Sequence, residues 1–193
     1  MNNPEYVKIG NKKYKINTDF RIAIRCNKIA QDETIGDYER SLAIIYMLFG
    51  DVGLDDEENY EKLLELAKKY LSCGKEIEQT NEEPDMDFEE DYDYIKTSFR
   101  SDYGINLDKE NMHWWEFFNL INGLSNSELG NCCILNRIRN LRNFDESKIE
   151  DAKQRKKIHK AKQQVALKKN KKEVELTEEQ ERSMEQLNKI LGI

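Results

Sequence analysis

The chain has 193 residues, a formal net charge of −7, 38% hydrophobic and 36% charged residues, a balance that fits one domain with a modest core and helical appendages. The longest apolar run, Leu42 to Phe49, is far too short to span a bilayer, and the polar start Met1 to Tyr6 holds no apolar signal-peptide core. The four cysteines (Cys26, Cys73, Cys132 and Cys133) form no CxxC pair, so reduced and mostly buried thiols are expected rather than disulfides or a zinc site.

Tyr6-Val7-Lys8-Ile9 and Tyr14-Lys15-Ile16 alternate in polarity around Gly10-Asn11, which predicts a β-hairpin. The period then changes to 3.6. Thr18 and Asp19 predict a cap for a helix over Phe20 to Ala30. Asp37 starts a second helix with the stripe Tyr38, Leu42, Ile45, Tyr46 and Phe49, ended by Gly50 and Gly53. Asp55-x-x-Glu58 resembles a capping box before Tyr60, Leu63, Leu64, Ala67 and Leu71, and Gly74 suits the position after that helix.

Residues 76–93 hold ten acids and no Lys or Arg, with Pro84 among them, and predict a mobile acidic linker. Helical spacing returns with Tyr92, Ile95, Phe99 and Tyr103, ended by Gly104. An aromatic helix follows, in which Trp114, Phe117, Phe118 and Ile121 share a face. Spacing assigns that face to the core. Trp115 lies off it and is the expected exposed anchor, and His113 is expected to hydrogen-bond at the helix end. Ser125-x-x-Glu128 predicts the start of a helix carrying Leu129, Cys132, Cys133, Leu135 and Ile138, followed by Arg137, Arg139 and Arg142. Asp145 caps a long stretch through Val165. Residues 153–172 hold ten basic residues and no acid, and Thr177-x-x-Gln180 precedes a last short helix.

The fold class is therefore mainly α: a helical bundle with a short N-terminal β-hairpin and an extended basic C-terminal helix. The expected parts are residues 1–75, a hairpin with helices; 76–91, the acidic linker; 92–145, the aromatic helical part of the same core; and 146–193, a basic helical tail. No GxGxxG, Walker, GxSxG or HExxH pattern occurs. The paired carboxylates fall in an exposed run, where no environment separates their pKa values. No enzyme activity, cofactor or metal is expected.

Several stretches carry a resemblance: Asp91-Tyr92-Asp93-Tyr94-Ile95-Lys96-Thr97-Ser98-Phe99, Asp102-Tyr103-Gly104-Ile105-Asn106-Leu107-Asp108, His113-Trp114-Trp115-Glu116-Phe117, Gly123-Leu124 and Ile138-Arg139. In this order, with Ile16-Asn17-Thr18-Asp19-Phe20-Arg21 before them, they resemble the gp-fifteen family of long non-contractile-tailed bacteriophages over most of residues 14–150. The resemblance implies a protein encoded between the tail-tube and tape measure genes. It implies a chaperone or scaffold that holds the helical tape measure protein during tail assembly. Without an apolar signal core or a spanning run, the host cytoplasm is the expected location, and self-association is a further option. The candidate partner-binding residues are His113, Trp114, Trp115, Phe117, Phe118, Arg137, Arg139 and Arg142. A nucleic-acid-binding regulatory protein using residues 153–172 is the alternative, and steep salt dependence would mark it.

Overall fold

A computed structural model describes residues 3–76, 84–126 and 132–168. The hairpin pairs β1 (Tyr6–Ile9) with β2 (Lys12–Lys15), Ile9 opposite Lys12. Its two-residue loop places Gly10 at φ +57°, the first-position geometry that matches the twist of the strands. Helices follow as α1 (Phe20–Gln31), α2 (Asp37–Phe49), α3 (Asp51–Leu54), α4 (Tyr60–Leu71), α5 (Tyr92–Tyr103), α6 (Trp114–Asn122), α7 (Ile134–Asn143) and α8 (Ala152–Val165), with single 3-10 turns at Glu57–Asn59 and Glu146–Lys148. The chain divides into two compact units, Met1–Asn140 and Leu141–Ile193. Among the described residues no helix is long and apolar enough to cross a membrane.

In the first unit the helices bury one side each. Helix α1 starts at Asp19, whose carboxylate accepts from the Arg21 N–H, and turns Phe20, Ala23, Ile24 and Cys26 inward. Helix α2 ends at Gly50, φ +67°, as its glycine predicted. Gly53 does not end α2. It lies buried in α3, where an added Cβ would stand 2.7 Å from the Phe49 Cβ, so only glycine lets α3 lie this close to α2. The centre of the unit is the set Phe20, Ile45, Leu48, Leu63, Ile95, Phe99, Leu107, Trp114, Phe117 and Leu135, all almost fully buried. Each such side chain contributes about 1.5–3 kcal/mol relative to exposure.

Asp55, expected to cap the helix that follows, does not: the 3-10 turn begins after Asp56 and α4 after Asn59, neither with a side-chain cap bond. Asp56 accepts from the Lys12 ammonium at 2.8 Å, from the Tyr14 hydroxyl and from the Asn59 amide, tying β2 to the entry of α4. A two-stranded hairpin is marginal by itself, so this clasp and the buried Tyr14 and Ile16 hold it in place. The Lys12 bond first, then the Tyr14 bond, hold the Asp56 carboxyl down at about 2. Its folded value lies below the unfolded one, so the stability it confers is complete above about pH 4 and is lost as pH falls through about 2. Asp56→Asn should therefore flatten the drop in melting temperature that the wild-type chain shows between about pH 4 and pH 2. Equal slopes for the two proteins would remove Asp56 from the acid response.

The acidic run is not uniform. Residues 77–83 lie outside the described residues. Residues 84–91, expected as part of a mobile linker, are folded onto the core. Phe88 sets its ring edge against Trp114 at 5.7 Å, Asp85 pairs with Arg139 at 3.2 Å, and Glu89 pairs with Lys28 at 2.6 Å. Asp87 accepts from the N–H groups of Glu89 and Glu90, and Asp91, 1% exposed, accepts from the Asp87 N–H. One aromatic anchor, cations from outside the run and self-capping turns overcome the mutual repulsion that composition alone suggests.

Two helix starts also move. Ser125 does not open α7. The Cys133 N–H donates to the Ser125 carbonyl, Asn126 bridges Cys132, and the helix begins only at Ile134. Leu129 and Glu128 lie outside the described residues. Cys132 and Cys133 therefore precede the helix rather than sit on it. In the second unit Asp145 caps only the short turn Glu146–Lys148. Asp151 caps α8, accepting from Lys153 and Gln154. The basic residues beyond 168 and the short helix expected after Thr177 lie outside the described residues.

Candidate functional site

The aromatic helix α6 is where the quoted motif residues converge. Its start lies antiparallel to the start of α1: the Phe20 N–H donates to the Met112 carbonyl at 3.1 Å and the Trp114 N–H to the Thr18 carbonyl at 2.8 Å. The two N-caps, Asp19 and His113, thus stand opposite one another. His113 Nδ1 accepts from the Trp115 N–H at 3.0 Å, which leaves the ring proton on Nε2, 3.0 Å from the Pro4 carbonyl. The helix-end role expected for His113 is the one it has.

The consecutive tryptophans share one task. Trp114 Nε1–H donates to the Leu71 carbonyl and Trp115 Nε1–H to the Tyr70 carbonyl, both at 2.9 Å. Both carbonyls lie in the last turn of α4, where a helix leaves its carbonyls short of internal partners; that of Tyr70 also accepts from the Cys73 N–H at 3.0 Å. Trp114 is buried among Phe88, Phe117 and Phe118. Trp115, expected as an exposed anchor, is half-buried. It stacks on Tyr70 with centroids 6.2 Å apart, and Gly74, at φ +73°, lies against its ring. A rotation of about 100° from Trp114 takes Trp115 off the central face but still onto the end of α4, which the periodicity of one helix cannot show.

Phe117 is stacked between Phe20 at 4.6 Å and Phe99 at 5.2 Å. Phe118 is half-buried, with the Lys75 ammonium 5.0 Å above its ring. Arg21 binds Asp19 and donates to the carbonyls of Leu107 at 2.5 Å and Glu110 at 3.0 Å, fastening the segment before α6. Of the three arginines expected at a partner surface, Arg139 is engaged by Asp85. Arg142, in the second unit, donates to the Val165 carbonyl at 2.7 Å. Arg137 is exposed beside Asp102, Ser125 and Cys132. The fully buried Trp114 and Phe117 leave no surface for a partner. Trp115 and Phe118 are only partly exposed.

The thiols are unpaired, and burial pushes Cys26 up to about 12 and Cys73 up to about 11, which makes them poor nucleophiles at neutral pH. Among the described residues no group of three or more His, Cys, Asp or Glu could hold a metal ion.

The sequence reading missed a different feature. Tyr38 and Tyr46, assigned to the inward stripe of α2, are exposed, as are Val52 in α3 and Ile35 ahead of α2. The signal was present: residues 42–49 are apolar without a break, more than one helix face can bury.

The molecule is thus a helix-built protein with a small hairpin, whose most distinctive residues join α1, α4, α5 and α6 from the inside. A family model described as Bacteriophage Gp15 protein matches residues 2–167, and the chain belongs to that phage family. No curated protein and no solved structure matches it.

Proposed function

We propose that this phage protein acts in tail morphogenesis as a chaperone or scaffold for the helical tape measure protein. The observation that carries the reading is the exposed set Ile35, Tyr38, Tyr46 and Val52, on and around one helix of a folded protein. Aromatic and aliphatic side chains left in water on a helical scaffold suit the capture of another helix by its apolar stripe. The gene neighbourhood implied by the family resemblance makes a tape measure the natural client: it is long, helical and prone to aggregate before the tube closes around it.

Co-expression with the tape measure protein of the same phage tests this. The chain should move the tape measure from the insoluble to the soluble fraction and co-purify with it. A tape measure equally insoluble with and without the chain would defeat the proposal.

One observation favours a second reading. Helix α8 exposes Lys153, Arg155, Lys156, Lys157 and Lys160 with no acid between them, a spacing that could meet phosphates. Binding to duplex DNA that falls steeply with salt and disappears on neutralising residues 153–172 would support it. Partner binding that salt barely alters would support the apolar route.

A further inference from the structure

The exposed apolar residues around α2 have a charged setting that specifies what can lie on them. Of the six large hydrophobic side chains most exposed among the described residues, four fall between residues 35 and 52. Tyr38 is 64% exposed and Val52 66%. They mark the two ends of one strip. Gly53, next to Val52, abuts Phe49 at the C-terminal end of α2, and Tyr60 places its ring 5.9 Å from Tyr38 at the N-terminal end. The segment 51–60 therefore runs back along α2. Tyr38 and Phe49 are eleven positions apart, so the strip is about 16 Å long at 1.5 Å per residue.

The chain between the two ends is acidic, with Lys12 of the hairpin meeting it at Asp56. Residues 33–65 hold ten Asp or Glu and only two cations, Arg40 and Lys62. Arg40 is bound to Asp37 and to the Asp32 carbonyl. Asp56 is consumed by the hairpin, whereas Asp55, Glu57, Glu58 and Glu61 are exposed. Exposed aromatics with an acidic border attract a cationic apolar surface and repel an acidic one.

Resting on the tail-assembly reading, we propose that this strip, from Val52 to Tyr38, is the docking surface for lysine- or arginine-rich amphipathic helical segments of the tape measure protein. Tyr38 and Val52 take apolar residues about three turns apart on the partner helix, and Asp55, Glu57 and Glu58 take the cations that flank them. The buried Trp114 and Phe117 serve the fold, and the binding residues are the exposed ones of α2 and α3.

The test uses the full chain and labelled peptides tiling the tape measure protein of the same phage, alongside co-expression with the intact tape measure. Binding peptides should carry net positive charge on an apolar helical stripe. Tyr38→Ala with Val52→Ser should weaken them about tenfold or more, as loss of exposed anchors does. Glu57→Lys with Glu58→Lys should weaken them and reduce the salt dependence. Both double variants change exposed side chains, and unchanged melting temperatures verify that they fold. Wild-type affinity in both folded double variants, or selection of acidic peptides, would overturn the surface while leaving the chaperone role intact. Failure of the wild-type chain to bind any peptide or to keep the tape measure soluble would overturn both. If the variants instead abolish self-association in sedimentation without altering peptide affinity, the strip holds a second copy and the proposal fails.

Discussion

Trp114→Ala is expected to destabilise the first unit by about 3–5 kcal/mol, the cost of truncating a large aromatic in a packed core. The ring is 1% exposed, touches Phe88, Phe117 and Phe118, and its N–H satisfies the Leu71 carbonyl at the end of α4. Alanine removes the packing and orphans that carbonyl together, and the missing volume lies where Phe88 pins the former acidic linker. Melting should fall by roughly 10 °C or more for a protein of this size. Trp115→Ala should lose less, because that ring is half in water, but it should not be neutral: it forfeits the stack on Tyr70 and the bond to the Tyr70 carbonyl. Thermal and urea melts of both variants check the ordering. A Trp115→Ala protein as stable as the wild type would restore the exposed-anchor role, and a larger loss at Trp115 than at Trp114 would reverse the account of this helix.

Phe117→Ala should cost a similar amount, about 3–5 kcal/mol, for a different reason. Phe117 is fully buried and lies nearly parallel to both Phe20 and Phe99, joining α6 to α1 and α5. Removing it leaves one cavity bordered by three helices, and that cavity cannot close without moving all of them. The milder pair Phe20→Leu and Phe117→Leu isolates the coupling. Because the two rings share one contact, their combined effect should depart from the sum of the single effects by about 0.5 kcal/mol or more. Additive losses would mean that Phe20 and Phe117 are buried side by side without depending on each other.

Local features were legible where the signal and its cause lie within a few residues. The hairpin turn at Gly10-Asn11, the Asp19 cap, the glycine stops at Gly50 and Gly104, and His113 at a helix end each follow from the chemistry of one turn of chain. Apolar spacing likewise placed Trp114 and Phe117 inside. The family was legible for a related reason. The residues that carry the resemblance, Ile16 to Arg21 and His113 to Phe117, lie against each other in the structure, joined by the bridge between Asp19 and His113 and by the ring stack of Phe20 on Phe117.

Surface assignments were the part that sequence could not decide. Periodicity orders the faces of one helix but does not say how many of those faces have neighbours. Helix α2 carries more apolar residues than its neighbours cover, so Tyr38 and Tyr46 stay in water. Trp115, off the main stripe of α6, finds the end of α4. Charge density predicted a mobile segment at 84–91, yet Phe88 and distant Arg139 and Lys28 fold it down. The sequence by itself determined the helical class, the glycine stops of α2, α5 and α6 and most of the residues that leave water, because local backbone chemistry and hydrophobicity are properties of the chain. Tertiary structure alone decided which of those residues found cover, because burial depends on which elements meet, and the groups that meet here come from positions more than forty residues apart, as Trp114 and Leu71 do.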